Sequence, residues 1–84
     1  PEVLMAKTEF SYEIVKHIGV LSTNKSKWNR EINVVRWNNG KPKIDIRDWA
    51  PEHAKMSKGI SLTGEEIAVL KEILEELDPY EFEE

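Results

Sequence analysis

The sequence of 84 residues contains no cysteine, and this absence excludes several kinds of structure and chemistry. Disulfide bonds, thiolate catalysis and cysteine-ligated zinc all require that residue. No apolar run approaches the roughly 20 residues of a membrane-spanning helix, and the first residues lack the basic and then apolar order of a signal peptide. We therefore expect a soluble, cytoplasmic protein with no membrane partner.

Sequence signatures of catalysis and metal binding are also missing. The two histidines, His17 and His53, lie far apart and have no metal-ligand spacing with acidic residues. There is no glycine-rich phosphate loop, no HExxH motif and no legible Ser-His-Asp arrangement. The sequence predicts a protein with no catalytic residues, metal, cofactor or small-molecule substrate.

The acidic total conceals an uneven distribution of charge. The formal net charge is -4, yet residues 14–60 hold ten Lys or Arg against four acids, whereas residues 61–84 hold one Lys against nine acids. A basic centre beside an acidic segment is typical of proteins associated with nucleic acid. A solvated surface of mixed charge is the alternative explanation.

All three tryptophans lie within this basic centre. Aromatic rings stack on nucleobases and neighbouring cations neutralise phosphates, so their interleaving along extended backbone favours single-stranded nucleic acid as the ligand. The residues concerned are Trp28, Trp37 and Trp49 among Lys25, Lys27, Arg30, Arg36, Lys41, Lys43 and Arg47.

Alternating apolar residues predict three strands, over residues 10–22, 28–38 and 41–49. The first has apolar residues of a single parity, as a half-buried strand requires. Even positions of the second and third strands form an apolar, inward side: Ile32, Val34, Ile44 and Ile46. Odd positions form a polar, basic and aromatic side that faces outward. Asn38-Asn39-Gly40 predicts a hairpin between these two strands.

The rest of the chain predicts a loop over residues 50–59, a short fourth strand over residues 60–62 and a helix over residues 64–77. Thr63, with Glu66 three residues later, forms a capping-box pattern at the helix start. The fold class is therefore α+β, an antiparallel four-stranded sheet followed by a C-terminal helix, β-β-β-β-α. Residues 10–78 form one domain between a flexible N-terminus, residues 1–9, and an acidic tail, residues 79–84.

The predicted helix has an apolar stripe that is wider than one sheet face requires. Ile67, Leu70 and Leu74 follow helical spacing, and Val69 and Ile73 broaden the stripe. A thick core contact would explain this, and so would a helix that faces both its own sheet and a partner helix. The second interpretation predicts a homodimer with Val69, Ile73 and Leu77 at the interface, and association would support so small a domain.

Two segments, Ile44-Asp45-Ile46-Arg47 and Lys58-Gly59-Ile60-Ser61-Leu62, precede an acidic helix at a spacing found in a known family. Over residues 28–77 the chain resembles the positive cofactor four transcriptional-coactivator domain, particularly its bacterial YdbC-like branch. The resemblance implies a homodimer of two curved sheets, joined largely through the C-terminal helices. It also implies that the concave surfaces bind single-stranded DNA with little sequence preference.

The resemblance further implies roles for individual residues. Trp37 and Trp49 match the aromatics that stack on bases, and the phosphate-binding cations correspond to Arg30, Lys41, Lys43 and Arg47. The loop before the second strand differs from the family, so Lys25, Lys27 and Trp28 are included as DNA contacts on their chemistry. Asn33 could donate to bases or bond the neighbouring strand.

Structural explanations compete with several of these roles. Trp28 shares its parity with Ile32 and Val34, so core packing and DNA contact are both open for it. For Trp37 and Trp49 a core role would require burial under a loop or at the dimer seam, and we favour stacking. Asp45 could pair with Arg47 or Lys43, or orient one of them. Arg36 is a rim contact or the partner of an acid.

The leading functional hypothesis is single-stranded DNA binding, with RNA as a second possible ligand, in transcription, replication, recombination or repair. One alternative is a protein-interaction module that uses exposed tryptophans as anchors. Another is a duplex-DNA transcription regulator that inserts a two-stranded ribbon into the major groove.

Overall fold

The computed structural model describes residues 10–83. Its elements are the strands β1 (Tyr12–Thr23), β2 (Asn29–Trp37), β3 (Pro42–Trp49) and β4 (Met56–Leu62), followed by the helix α1 (Gly64–Glu75). Each strand pairs antiparallel with the next, in the order β1-β2-β3-β4. The predicted β-β-β-β-α fold is confirmed, and the predicted flexible segment of residues 1–9 lies outside the described residues.

The hairpin between β2 and β3 lies where the sequence predicts it. Asn38 and Asn39 have φ angles of 51° and 63°, and the Gly40 amide donates to the Trp37 carbonyl at 2.8 Å. The two asparagines therefore make the left-handed turn, a conformation that their short polar side chains tolerate. Gly40 does not adopt a positive φ, so the Asn-Gly signal located the turn one residue too late.

The fourth strand begins at Met56, and the prediction of a start at residue 60 was wrong. A 3-10 turn, Pro51–His53, reverses the chain directly after β3, and the Ala50 amide donates to the Lys55 carbonyl at 2.9 Å. Met56 can therefore pair with Trp49. The register shifts between Arg47 and Trp49, and this irregularity hides the alternation on which a strand prediction depends.

Strand β1 also departs from its predicted pattern. Its pairing with β2 shifts register three times, between Ile14 and Lys16, between His17 and Gly19, and between Val20 and Ser22. Each shift changes which parity faces which side, so the expected single half-buried parity does not hold. Bulges bend a strand and increase its twist, and three in twelve residues let β1 follow a curled sheet.

The start of α1 has the predicted capping box. Thr63 Oγ1 accepts a hydrogen bond from the Glu66 amide at 3.1 Å, and the Glu66 carboxylate accepts one from the Thr63 amide at 2.9 Å. The last turn is tightened, because the amides of Glu76 and Leu77 donate to carbonyls three residues earlier. Residues 76 and 77 therefore fall outside the α-helix that the sequence predicts.

One side-chain contact, between Tyr12 and Trp49, shows that the sheet curls towards its odd-position side. Tyr12 pairs with Trp37 at one end of β2, and Trp49 pairs with Asn29 at the other end, about 26 Å away along a straight strand. The rings of Tyr12 and Trp49 are nevertheless 5.5 Å apart. We call the odd-position side of β2 and β3 the concave face and the even-position side, which α1 partly covers, the helix face.

Burial on the two faces is the reverse of the expectation from hydrophobicity. On the concave face the buried residues are Glu31, Asn33, Val35, Asp45 and Trp49. On the helix face Ile32, Val34, Ile44 and Ile46 are only half-buried. Curvature closes the concave face over its own side chains, whereas a single short helix covers part of the other face.

Candidate nucleic-acid interface

The register of β2 and β3 builds the concave face. Val35 pairs with Lys43, Asn33 with Asp45, and Glu31 with Arg47, so the odd positions of both strands lie on one side. The predicted sharing of a polar, basic and aromatic face by two adjacent strands is confirmed.

Arg47 is fixed on this face by the carboxylate of Asp45. Its Nε and Nη2 atoms donate to the two Asp45 oxygens at 2.7 Å each, and Nη1 donates to the Ser57 carbonyl at 3.2 Å. Asp45 is completely buried, so this is a two-pronged ion pair inside the protein. Of the alternatives left open for Asp45, pairing with Arg47 is the one that the structure shows.

The same ion pair orients Trp37. Ser61 Oγ donates to Asp45 Oδ2 at 2.8 Å, and Trp37 Nε1 donates to Ser61 Oγ at 3.0 Å. The Arg47 guanidinium lies 4.6 Å from the centroid of the Trp37 ring, within cation-π range. Four side chains from β2, β3 and β4 thus form one closed network in which the Trp37 ring has a defined position.

Gly59 makes room for this network. It pairs with Arg47 across β3 and β4. A Cβ atom at position 59 would lie 2.3 Å from the Arg47 Cβ and 2.4 Å from the Ile46 carbonyl oxygen, far inside van der Waals contact. Position 59 therefore requires a residue without a Cβ atom, because Ile46 and Arg47 of β3 lie so close to it.

A second polar cluster surrounds the buried carboxylate of Glu31. That carboxylate accepts hydrogen bonds from His53 Nε2 at 3.0 and 3.1 Å and from Asn33 Nδ2 at 3.1 Å. His17 Nδ1 donates to Asn33 Oδ1 at 2.7 Å and lies 3.7 Å from Glu31. The two histidines, distant in sequence, are joined here through Glu31 and Asn33.

The surroundings of Glu31 change its pKa. Burial favours the neutral carboxyl and acts to raise the pKa, but the hydrogen bonds from Asn33 and His53 and the charges of His53 and His17 outweigh it. The pKa of Glu31 is therefore lowered, and the carboxylate is ionised at neutral pH.

Aromatic rings fill the hollow of the concave face. Phe10, Tyr12 and Trp37 form one group, with ring centroids 5.8 to 6.3 Å apart. Tyr12 also contacts Trp49, whose other neighbour is the stacked ring of His53 at 4.4 Å. The five rings make a continuous row that links the two ends of the sheet.

The predicted stacking residues differ in accessibility. Trp49 is only 1% exposed, so the expectation that its ring faces outward is wrong for the single chain. It lies between Tyr12 and His53, and within residues 10–83 its Nε1 atom has no hydrogen-bond partner. Trp37 is half-buried. The parity was right, but the curl of the sheet covers one ring completely.

The predicted phosphate-binding cations do not lie together. Lys41 and Lys43 are exposed near the turn between β2 and β3, and the ion pairs within the described part of the chain do not include them. Arg30 lies on the helix face, where its Nε donates to Asp48 Oδ1 at 2.8 Å. Arg30 therefore lies on the opposite side of the sheet from Lys43 and Arg47, and its role as a phosphate contact stays a prediction.

The other residues for which a DNA contact was considered lie in the loop between β1 and β2 and within β2. Lys25 and Lys27 are exposed in the loop between β1 and β2, and Trp28 beside them is half-buried. The Asn24 side chain shapes this loop by accepting from the amides of Ser26 and Trp28. Asn33, by contrast, is completely buried and bonded within the sheet. Arg36 pairs with an acid, as one alternative predicted, with its Nε 3.4 Å from Glu13 Oε1.

Sequence reasoning missed several residues that shape the interface: Phe10, Tyr12, Glu31, His53 and Ser61. Strand parity could have placed Glu31 beside Arg47, since both occupy odd positions of neighbouring strands. No local signal brings His53 to Glu31 or Tyr12 to Trp49, because both contacts depend on the curl of the sheet and on the turn after β3.

Within residues 10–83 there is no group of three or more His, Asp or Glu side chains arranged to hold a metal ion. None of the helices in that range is long and apolar enough to cross a membrane.

Comparison with known proteins adds two similarities. The family model described as Transcriptional Coactivator p15 (PC4) matches residues 24–73. An uncharacterized protein of Treponema pallidum (strain Nichols) is 42% identical over 74 residues, which are 86% of this chain and 87% of that protein. The family match runs from the loop before β2 into α1, so it includes both networks of the concave face apart from His17.

Proposed function

Because the chain belongs to the transcriptional coactivator p15 (PC4) family, a DNA-binding and non-enzymatic domain family, we propose that it binds single-stranded DNA with little sequence preference. The observation that carries this proposal is the exposed pair Lys41 and Lys43 beside the aromatic row of the concave face. Lys41 follows Gly40, whose amide donates to the Trp37 carbonyl at 2.8 Å, and Lys43 pairs with Val35, two residues before Trp37.

The chemistry of this arrangement suits a single strand. Lysine ammonium groups are point charges that contact phosphates without reading bases, and aromatic rings stack on any base. A duplex would keep its bases inside and offer no free base face to the row. The networks around Asp45 and Glu31 support the proposal, because they fix the interface before a ligand arrives.

We also propose that two copies associate through α1. Val69 and Ile73 on the helix are 51% and 61% exposed, and with Leu62 and Leu70 they line an open apolar groove. A second copy placed by a two-fold axis would cover this groove with the same residues. It would also bury the apolar residues of the helix face that are only half-buried in a single chain.

A titration at several salt concentrations tests the proposed ligand. Labelled oligo-dT should bind, and the slope of log affinity against log salt is negative, with a magnitude that rises by about 0.7 for each phosphate contact. Replacing Lys41 and Lys43 together with Ala should lower that magnitude by about 1.4, whereas Lys71→Ala in α1 should leave it unchanged. Absence of oligo-dT binding at low salt would refute the proposal.

Competitors separate DNA from the other ligands. Unlabelled duplex of the same length should compete poorly, and an oligo-U competitor measures the RNA alternative. Tighter duplex binding with strong sequence preference would favour the major-groove ribbon. The protein-anchor alternative would use Trp37, which is half-buried, because Trp49 is buried in the single chain. If DNA is the ligand, the protein functions in transcription or in another process that exposes single strands in the cytoplasm.

A further inference from the structure

The two tryptophans matched to base stacking have little free ring surface in this structure. Stacking requires an open face, and one side of Trp49 is occupied by His53 at 4.4 Å with an interplanar angle of 30°. Tyr12 approaches Trp49 at 5.5 Å, and the residue as a whole is 1% exposed. For Trp37, the Arg47 guanidinium covers the ring at 4.6 Å.

Two rings at the start of β1, Phe10 just before the strand and Tyr12 as its first residue, lie at the surface of the same aromatic row. Phe10 is 61% exposed and Tyr12 is 39% exposed, although both contact Trp37 at 5.8 Å. Large apolar rings that are so open to solvent are not core residues, and the Trp37 ring packs against both of them. They are therefore the first aromatic surfaces that a ligand entering the concave face would meet.

Their position also matches the exposed lysines. Tyr12 pairs with Trp37 across β1 and β2, and Lys41 follows Gly40, whose amide donates to the Trp37 carbonyl at 2.8 Å. Adjacent strands are about 4.8 Å apart, so two strand spacings separate Tyr12 from Lys41. A base stacked on Phe10 or Tyr12 and a neighbouring phosphate bound by Lys41 can therefore belong to one extended strand of DNA.

We propose that Phe10 and Tyr12 form the base-stacking platform of this protein, and that Trp49 is a positioning residue beneath it. This inference rests on the proposed function and extends it to residues of β1 that lie outside the family match. Tyr12 packs against Trp49, which in turn stacks on His53. The Trp37 ring, held by Ser61 and Arg47, packs against both platform rings. Bases then stack on the outer surfaces of Phe10 and Tyr12.

Substitutions of the platform rings by leucine test this inference in the full chain. Leucine keeps an apolar side chain over Trp37 and Trp49 but has no aromatic face. Tyr12→Leu should weaken oligo-dT binding about 5- to 150-fold, the range for loss of one stacked base, and Phe10→Leu should act in the same direction. Tyr12→Phe keeps the ring and should bind within about twofold of the original protein.

The salt slope and two matched controls distinguish stacking from other effects. Phosphate contacts are unchanged, so the slope for Tyr12→Leu should equal that of the original protein while the affinity falls. Tyr80→Leu and Phe82→Leu remove rings that are 72% and 79% exposed in the tail, and should not alter binding. Urea unfolding of each variant checks that the domain is folded at the temperature of the binding assay.

Two results would overturn the inference while leaving the proposed function intact. If the original protein binds and Tyr12→Leu binds equally well, the β1 rings are not the platform. If folded Tyr12→Leu binds more tightly, Tyr12 is a cover that a base must displace to reach Trp49. Failure of the original protein to bind any single strand would instead refute the proposed function itself.

Discussion

The two faces of β2 and β3 alternate residue by residue along the same strands, yet they are buried by different means. The helix face carries isoleucine and valine but is half-exposed, since α1 covers only part of it. The concave face carries Glu31, Asn33 and Asp45 but is closed, since the sheet curls and hydrogen bonds satisfy these groups. Hydrophobicity therefore does not predict which face a single chain buries, because the curl of the sheet and its hydrogen bonds bury the more polar one.

If the buried ion pair of Asp45 and Arg47 stabilises the concave face, removing one of these side chains should lower the free energy of unfolding more than the other substitutions described below. Asp45→Ala leaves the Arg47 guanidinium, 14% exposed, without its carboxylate and Ser61 without its acceptor. We expect a loss of about 3 to 5 kcal/mol in the free energy of unfolding, measured by urea titration. Asp48→Ala, which breaks the solvent-exposed Arg30 pair on the helix face, is the matched control and should cost far less. Equal losses would remove the distinction between the two faces.

A charge placed on α1 tests whether the helix face is completed by a second copy. Ile73→Glu should abolish the dimer, because it removes roughly 1.5 to 3 kcal/mol of apolar burial from each protomer and places a carboxylate in the interface. Light scattering at micromolar concentration measures the mass. Phe82→Glu adds the same charge to an exposed tail residue and should leave the dimer intact. A monomeric mass for the original protein would contradict the proposed association.

The close packing at Gly59 offers a finer test of the concave face. Gly59→Ala places a methyl group against the Arg47 Cβ and the Ile46 carbonyl oxygen, so the backbone of β3 or β4 must shift, and the protein should be destabilised by about 1 to 3 kcal/mol. Gly64→Ala, in the first turn of α1, meets nothing within 4 Å and should stabilise by about 0.5 to 1 kcal/mol. Thermal unfolding of both variants measures the opposite signs. A Gly59→Ala protein as stable as the original would show that β3 and β4 can shift apart there at little cost in free energy.

The smallest expected effect is on the pH dependence of stability. The pKa of Glu31 in the folded chain lies below its ordinary value of 4.5. The ionised carboxylate therefore contributes stability that is complete above that value and is lost as the pH falls through the folded-state pKa. Glu31→Gln should flatten this acid limb of the stability curve.

Asp48 provides the comparison for that pH dependence. The hydrogen bond and charge of Arg30 lower its pKa too, but the pair is solvent-exposed on the helix face. Asp48→Asn should therefore change the acid limb less than Glu31→Gln does. A larger change for Asp48→Asn would show that the exposed pair, and not the concave cluster, dominates acid stability.

Local patterns predicted most of the fold. The alternation of β2 and β3, the Asn-Asn-Gly turn and the Thr63 capping box depend on neighbours within a few residues, and all three are confirmed. The early start of β4 and the bulges of β1 were not predictable, because a shifted register leaves no periodic signal. For the site, parity placed Asp45, Arg47 and Trp37 on one face, and the structure shows which of the alternatives for Asp45 holds, its pairing with Arg47.

By itself, then, the sequence determined the order of elements, the two unlike faces of the sheet and the basic, aromatic character of one of them. These properties follow from backbone periodicity and side-chain chemistry, which act over short distances. Only the tertiary structure decided that Trp49 is buried, that Glu31 joins two histidines and that Tyr12 lies at the surface of the aromatic row. Those outcomes depend on how far the sheet curls, a sum of bulges and twists over four strands that no local stretch of sequence encodes.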